Sequence, residues 1–117
     1  MKIRILSVLV VLMSLTSCIK KQVEGVQVVD IAAYEQQLKQ PEIQLIDVRT
    51  PEEFSEGHIE NAKNINIMGD DFDAQVAALD KTKPVMVYCK SGGRSAKASA
   101  RLKELGFTTI TDLEGGI

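Results

Sequence analysis

Short apolar segments alternate with segments of helical periodicity along most of the chain, and this alternation is the feature that most restricts its fold. The apolar segments are rich in Val and Ile and end at Asp, Pro or Gly, which is typical of short strands. The predicted strands are 26–29, 43–48, 64–67, 85–88 and 109–113, and the predicted helices are 31–38, a short one beginning at 51, 72–79 and 95–105. Strands separated by helices pair in parallel, so the sequence predicts an α/β domain with a mainly parallel sheet of about five strands.

The fourth predicted strand carries the most informative segment of the sequence. Residues 85–88 (VMVY) are continuously apolar, as in a strand that is buried on both faces, and Cys89 follows directly. The loop after it, KSGGRS, leads into a helix. Ligands of open α/β sheets bind at the carboxyl ends of the strands, so this loop lies where a site is expected.

Two consecutive glycines, Gly92 and Gly93, let the loop curl so that several backbone N–H groups point to one spot beside the start of a helix. Such an arrangement binds anions, and here the thiolate of Cys89 is itself an anion. The N–H groups, the helix dipole and the cations Lys90 and Arg94 are expected to lower the pKa of Cys89. Cys89 is therefore the candidate nucleophile.

The segment CKSGGRS resembles the active-site loop of the rhodanese-like, single-domain sulfurtransferases. Other segments agree with that family: DVR (47–49) with PEEF (51–54), GHIENA (57–62) before Asn64 and Ile65, and GF (106–107) followed by LEGGI (113–117). The resemblance extends over residues 28–117. It implies a rhodanese-like three-layer fold, with five mainly parallel strands and helices on both faces of the sheet.

The resemblance also implies a function. Cys89 would take a sulfane sulfur from a small anionic donor such as thiosulfate, become a persulfide, and pass the sulfur to cyanide, a thiol or a redox protein. The residues expected to surround the donor are Lys90, Ser91, Gly92, Gly93, Arg94 and Ser95. The persulfide is covalent, so no cofactor is implied.

Two residues at the end of the second strand, Asp47 and Arg49, are expected to support the site by ordering neighbouring loops, in the family often together with a carboxylate such as Glu53. The single histidine, His58, is assigned a structural role, because a nucleophile that is already a thiolate needs no general base.

Two alternatives to a sulfurtransferase stay open. Phosphatases and arsenate reductases of the same fold have five residues between Cys and Arg, whereas only four separate Cys89 from Arg94. The shorter loop favours one added sulfur over a tetrahedral phosphate. The other alternative is a non-catalytic or sulfur-carrier rhodanese module that binds a partner, although such modules typically lack the cysteine.

Composition excludes several other classes of protein. The net charge of −2, the 4% of aromatic residues and the absence of Trp argue against a nucleic-acid partner. Two Cys and one His are too few for the usual zinc sites or for a disulfide framework. The acidic cluster Asp70, Asp71 and Asp73 is assigned to the start of the third helix, where carboxylates are favourable, and no metal site is expected.

The N-terminus has the pattern of a secretory signal. Lys2 and Arg4 precede an apolar run over residues 5–15, which is shorter than the roughly 20 residues that span a membrane. The segment LTSC at 15–18 resembles the lipobox of bacterial lipoproteins, which implies cleavage before Cys18 and lipidation of its thiol. Several acyl chains would hold the protein at a membrane.

These features predict three segments: a signal peptide at 1–17, the lipidated Cys18 and a short tether at 18–25, and the rhodanese-like domain at 26–117. The expected place is the bacterial cell envelope, facing the periplasm. Ile19, rather than Asp, after the lipidated cysteine favours the outer membrane.

Overall fold

The computed structural model describes residues 24–117, which form one five-stranded sheet with its strands in the order β1-β5-β4-β2-β3. The strands are β1 (Val26–Val29), β2 (Gln44–Asp47), β3 (Lys63–Asn64), β4 (Val85–Tyr88) and β5 (Ile110–Leu113). The helices are α1 (Ile31–Leu38), α2 (Pro51–Glu56), α3 (Phe72–Val76) and α4 (Gly93–Glu104). Every neighbouring pair of strands is parallel, so the predicted parallel α/β fold is confirmed.

The two faces of the sheet are covered by different helices, as the family resemblance implied. Val85, Val87 and Cys89 pack with α3 and α4, whereas Met86 and Tyr88 pack on the other face with residues of α1. This alternation follows from the period of two along a strand. β4 lies at the centre of the sheet with both faces covered, which explains why its sequence is apolar without interruption.

Local sequence signals set the starts of two helices. The Asp30 side chain accepts a hydrogen bond from the backbone of Ala33 and caps α1. At α2, the Thr50 hydroxyl accepts from the backbone of Glu53, and the Glu53 carboxylate accepts from the backbone of Thr50. This is the predicted capping box, with Pro51 at the first helical position.

Some boundaries differ from the sequence prediction. Helix α4 begins at Gly93, two residues before the predicted start at 95, because Gly92 has a φ of 102° and turns the chain sharply into the helix. β3 is two residues long, although backbone hydrogen bonds from Ile65 and Ile67 continue alongside β2.

The acidic cluster lies at the start of α3, as expected, but two of its carboxylates bind other side chains instead of capping the helix. Asp71 makes no capping hydrogen bond to the backbone and accepts one from Gln75 instead, while Asp73 pairs with Arg101 of α4.

The predicted signal peptide, Cys18 and most of the predicted tether lie outside the described residues. Between residues 24 and 117, no helix has the length and apolar character that crossing a membrane requires.

Candidate active site

Cys89 lies directly after the central strand, at the edge of the sheet where all five strands have their carboxyl ends. It is buried, and it faces the side of the sheet that α4 covers. β2 ends beside it, because the backbone N–H of Val48 donates to the carbonyl of Tyr88 at 3.1 Å. The fold therefore brings the Cys89 loop, the residues after β2 and the start of α4 together.

The sulfur of Cys89 lies among hydrogen-bond donors. The backbone N–H of Gly92 donates to Sγ at 3.0 Å, and the backbone N–H groups of Ser91 and Ser95 also help to lower the pKa of Cys89. The Cys89 thiol in turn lies 3.4 Å from the Ser95 hydroxyl oxygen, to which it donates. Burial raises the pKa of Cys89, but the Ser95 hydroxyl and these three N–H groups outweigh burial, so the pKa is lower than the ordinary value of a cysteine.

The geometry of the loop explains why its N–H groups converge. Gly92 has a left-handed backbone conformation, and α4 starts immediately afterwards, so Ser95 is the third residue of the helix. The N–H groups of the first turn have no partner within a helix and are free to meet an anion. Gly93 has an ordinary backbone conformation and open space around its Cα, so only the first of the two glycines is required by the turn.

Arg94 is bound to Glu53, and its charge is compensated. Nη1 of Arg94 donates to Oε1 of Glu53 at 2.6 Å, and Nη2 donates to Oε2 at 2.9 Å. Two hydrogen bonds lower the pKa of Glu53 to about 2: the one from Arg94 has the largest effect, and the one from the Thr50 backbone N–H has the next largest. In this arrangement Arg94 fixes the Cys89 loop to α2.

Lys90 is the exposed cation of the loop. In the part of the chain that the structure describes, no carboxylate lies within ion-pair distance of its ammonium group. It is therefore the cation of the loop whose charge faces solvent without compensation.

Asp47 and Arg49 form a buried pair that supports the neighbouring chain. Arg49 donates to the Asp47 carboxylate through Nη2 at 2.7 Å and to the carbonyl of Gly57 at 2.6 Å. The Tyr88 hydroxyl, over whose ring Arg49 lies, accepts from the backbone of Ile59 at 3.0 Å. The pair thus holds residues 57–59 against the sheet. Glu53 is bound to Arg94 rather than to this pair, which differs from what the family resemblance implied.

The segment after β5 closes the loop from the other side, a contact that sequence reasoning missed. The backbone N–H of Ile117 donates to the carbonyl of Cys89 at 3.0 Å. A Cβ at Gly116 would lie 2.3 Å from the Cys89 carbonyl oxygen and 2.4 Å from the Lys90 carbonyl carbon. The signal in the sequence is the pair of glycines, Gly115 and Gly116, which follow the predicted strand 109–113 after one residue.

A second feature that sequence reasoning missed is the carboxyl group of Asp112 in β5. The side chain is 3% exposed, and its Oδ1 has no hydrogen-bond partner. Burial raises the pKa of Asp112 to about 6, although the Ser95 hydroxyl and the Leu113 backbone N–H act in the opposite direction. A charged residue inside an apolar strand was the signal that could have revealed it.

His58 lies in a local arrangement of its own. Its ring is exposed, stacks on Phe54 with 3.7 Å between ring centroids, and hydrogen-bonds through Nδ1 with the Phe54 carbonyl at 2.9 Å. Within residues 24–117, no three His, Cys, Asp or Glu side chains converge in a way that could hold a metal ion.

A nucleophilic sulfur with a lowered pKa, surrounded by N–H donors at a helix N-terminus, can attack an electrophilic atom and then hold the resulting anion. Four residues lie between Cys89 and the arginine that closes the loop.

Known proteins are similar to this chain in sequence. The family model of the rhodanese-like domain matches residues 30–117. Thiosulfate sulfurtransferase 16 of Arabidopsis thaliana is 42% identical over 81 residues, which cover 61% of this chain and 68% of that protein. Thiosulfate sulfurtransferase GlpE of Pseudomonas aeruginosa is 36% identical over 81 residues, covering 68% of this chain and 71% of that protein. Other relatives are longer, and the chain matches 56% or less of their length.

Solved structures agree on the fold. The crystal structure of a rhodanese-related protein from Thermoplasma volcanium superposes with a TM-score of 0.66 at 34% identity, covering 76% of this chain and 84% of that one. The chain therefore belongs to the rhodanese-like family, which includes proteins named as sulfurtransferases.

Proposed function

We propose that the protein moves a sulfane sulfur from an anionic donor such as thiosulfate to a thiophilic acceptor, through a persulfide on Cys89. The observation that carries this proposal is the hydrogen bond from the Gly92 N–H to Sγ at 3.0 Å, in a loop whose Ser91 and Ser95 N–H groups also lower the pKa of Cys89. A loop of this kind stabilises the negative charge on Sγ in the thiolate before the reaction. It stabilises the charge on the terminal sulfur of the persulfide afterwards.

The first half-reaction loads the cysteine. The Cys89 thiolate attacks the outer sulfur of thiosulfate, a bond forms between the two sulfurs, and the sulfur–sulfur bond of thiosulfate breaks. Sulfite leaves with the electron pair. The terminal sulfur of the persulfide then carries the negative charge, one atom further out in the loop, where donors aimed at developing charge are most effective.

The second half-reaction transfers the terminal sulfur from Cys89 to the acceptor. The acceptor, cyanide or a thiolate, attacks the terminal sulfur of the persulfide, and the bond to Sγ breaks with its electrons left on Sγ. Thiocyanate or a new persulfide departs, and the Cys89 thiolate is regenerated. Oxidation states balance over the cycle, so no external oxidant or reductant is required.

The charges of the site support distinct roles for its two cations. Lys90 is exposed and without a carboxylate partner among the described residues, so it draws an anionic donor towards the loop. Arg94 is occupied by Glu53 at 2.6 Å and 2.9 Å, so it acts by holding the loop in shape.

The test is thiocyanate formation from thiosulfate and cyanide by the full chain purified in detergent. We expect turnover, and we expect intact-mass spectra to show one added sulfur after exposure to thiosulfate. Cys89→Ser should lose both signals, whereas Cys18→Ser is the matched control for the other cysteine and should keep both. No turnover and no added sulfur with any sulfane donor would contradict the proposal, as would full activity of Cys89→Ser.

The alternative activities have their own outcomes in the same preparation. Hydrolysis of an aryl phosphate or reduction of arsenate would indicate the phosphatase-like branch of the fold. A partner that binds Cys89→Ala as tightly as the unaltered protein, with no turnover of any substrate, would indicate a binding module.

We also propose that Cys18 carries a lipid that anchors the protein in a bacterial cell envelope, facing the periplasm. The support is the positively charged N-terminus, the apolar run and the segment LTSC. Cells grown with radiolabelled palmitate should label the protein and should not label Cys18→Ala. Fractionation of the two membranes of a Gram-negative host should place the labelled protein in the outer membrane. Labelling that persists in Cys18→Ala would contradict the anchor.

A further inference from the structure

A cleft lies between α4 and the chain that leads from β3 into α3. Its volume is about 390 Å³, and the sulfur-transfer steps described above do not use it. Its apolar lining comes from Ile67, Phe72 and Ala100. Arg101, which also lines it, is paired with carboxylates of Asp73 and Glu104, so its charge is compensated. The cleft therefore offers an apolar surface that is open to solvent.

The cleft begins at the same edge of the sheet as the reactive sulfur. The backbone N–H of Ile67 donates to the carbonyl of Val48 at 3.1 Å, and the N–H of Val48 donates to the carbonyl of Tyr88 at 3.1 Å. Ile67 is thus separated from the cysteine loop by one strand. On the other wall, α4 starts at Gly93, within that loop. A molecule lying in the cleft would extend from the loop along α4.

An exposed apolar side chain stands at the rim of the cleft. Met68 is 71% exposed, more than Ile31 at 54% and Ile117 at 46%, the other large apolar side chains that the described part of the chain exposes. Its neighbours Ile67 and Gly69 both line the cleft. A single exposed methionine is ordinary, but this one continues an apolar surface, and its flexible thioether adapts to an apolar partner.

The dimensions of the cleft match an extended peptide that begins at the sulfur. Cys89 is fully buried, so an acceptor thiol has to project into the loop to meet the terminal sulfur of a persulfide, about 2 Å beyond Sγ. Ala100 lies about 10 Å along α4 from Gly93, at 1.5 Å of rise per residue. An extended chain advances about 3.3 Å per residue, so three residues cover that distance.

We propose that this cleft binds the sulfur acceptor, and that the acceptor is an extended, cysteine-containing segment of a partner protein with an apolar side chain three residues from its cysteine. The apolar side chain lies against Phe72 and Ala100, with Met68 at its rim. The cysteine of the segment then faces Cys89. This proposal rests on the proposed function, because Cys89 is taken as the sulfur carrier.

The chemical step is the second half-reaction with this acceptor. The cysteine of the segment loses its proton to solvent, and its thiolate attacks the terminal sulfur of the persulfide. A new sulfur–sulfur bond forms, and the bond to Sγ of Cys89 breaks with its electrons left on Sγ. The segment leaves as a persulfide, and no oxidant or reductant is consumed.

Two synthetic heptapeptides test the proposal. Each has a central cysteine and serines elsewhere, and one of them has a leucine at each end, so that either chain direction places a leucine three residues from the cysteine. The full chain in the Cys18→Ser background is loaded with thiosulfate and freed of excess donor. Mass spectrometry then follows the gain of one sulfur by the peptide. We expect the leucine peptide to react about tenfold faster than the serine peptide.

Variants of the cleft identify where this preference arises. Met68→Ser removes the apolar rim, and Ala100→Gln fills the cleft from an exposed position of α4, so each should reduce the preference to about twofold or less. Taking the ratio of the two peptides cancels any effect of a variant on the chemical step. The matched controls are Ile31→Ser, at the start of α1 on the other face of the sheet, and Ala74→Gln, exposed on α3 outside the cleft lining. Both should keep the preference.

Several results would overturn the proposal. Equal rates for the two peptides would do so, as would a preference that survives in both cleft variants. A dimer of the protein alone in analytical ultracentrifugation, dissociated by Ala100→Gln, would assign the cleft to a second copy of the chain instead.

A binding measurement separates this proposal from the proposed function. Fluorescent versions of the two peptides, with serine in place of the central cysteine, are titrated with Cys89→Ser and followed by anisotropy. We expect tighter binding of the leucine version. If that preference is found but no sulfur is ever loaded on Cys89, the docking cleft stands and the proposed function fails. If sulfur passes equally to both cysteine peptides, the proposed function stands and the docking cleft fails.

Discussion

Arg94 and Glu53 form a two-pronged ion pair across 41 residues of sequence, with N–O distances of 2.6 Å and 2.9 Å. Glu53 is also part of the capping box of α2, so one carboxylate fixes both the start of that helix and the loop that carries Cys89. The hydrogen bond from Arg94, followed by that from the Thr50 backbone, lowers the pKa of Glu53 to about 2. A depressed carboxyl pKa favours the folded state above the unfolded pKa, and the benefit is lost as the pH falls towards 2. The pair is therefore intact over the range in which sulfur transfer is assayed.

Loosening this pair should slow the reaction. In Glu53→Gln the side chain keeps its shape but offers Arg94 one acceptor instead of two, so we expect kcat to fall about tenfold with a smaller change in KM. Arg94→Lys should have a similar effect, because an ammonium group cannot form the two-pronged contact. Steady-state kinetics of thiocyanate formation give both constants.

The control for the ion pair is Glu52→Gln, the exposed neighbour in the first turn of α2, which should leave kcat unchanged. The double variant Glu53→Gln/Arg94→Lys should lose little more than either single variant, since both remove the same contact. Fully additive losses would show that the two residues act independently.

Lys90 should govern the attraction of the anionic donor. Lys90→Gln removes an uncompensated charge next to the loop, so we expect a several-fold rise in KM for thiosulfate, little change in kcat, and a weaker dependence of kcat/KM on ionic strength. Lys97→Gln on α4 is the matched control and should keep the KM of the unaltered protein. If both variants behave alike, donor binding does not depend on the charge at position 90.

The two glycines of the loop should respond differently to substitution. Gly92→Ala places a side chain at a φ of 102°, so we expect a loss of about 1–2 kcal/mol in the free energy of unfolding. Gly93 has an ordinary conformation and nothing within 4 Å of an added Cβ, so Gly93→Ala should be neutral or slightly stabilising. Urea unfolding followed by circular dichroism measures both, and equal losses would contradict the assigned backbone conformations.

Gly116 should be the most sensitive glycine of the segment after β5. Gly115 and Gly116 both have left-handed φ values, 78° and 67°, so an alanine at either position carries the same backbone strain. At Gly116 the Cβ would additionally lie 2.3 Å from the Cys89 carbonyl oxygen, whereas at Gly115 it meets nothing within 4 Å. We expect Gly116→Ala to be less stable than Gly115→Ala by about 1–3 kcal/mol in urea unfolding.

The same pair of variants reports on the site. The clash in Gly116→Ala displaces the backbone of the cysteine loop, so its kcat should fall well below that of Gly115→Ala. Similar stabilities and similar kcat values in the two variants would mean that the loop adapts to the added carbon.

The parts of this protein that could be predicted from its sequence are those fixed by local physics. The apolar run of β4, the capping box at Thr50 and Glu53, and the glycine turn after Cys89 each depend on residues that are adjacent or nearly so. These signals were sufficient to predict the parallel sheet and the position of the cysteine loop.

The remaining features depend on contacts between distant segments. Arg94 looks like a free cation in the sequence, and only the fold reveals that Glu53 compensates it. Gly116 matters because the chain after β5 returns to the carbonyl of Cys89. Asp112 lies in β5 and is buried under α4. The alternation of side chains along a strand predicts the face of the sheet on which Asp112 lies, but it does not predict which residues of α4 lie next to it.

Asp112 should also make the stability of the domain depend on pH. Burial raises its pKa to about 6, so between the unfolded value of about 4 and pH 6 the folded state retains a proton that the unfolded state has lost. The free energy of unfolding therefore falls as the pH rises through this range, by an amount on the order of 1–3 kcal/mol.

Asp112→Asn removes this dependence, so urea unfolding should find the variant more stable than the unaltered protein at pH 7.5 and similar to it at pH 4. The exposed Asp70→Asn is the control and should leave the difference between the two pH values unchanged. A variant at Asp112 that is less stable at pH 7.5 would show that the ionised carboxylate is better accommodated than its surroundings indicate.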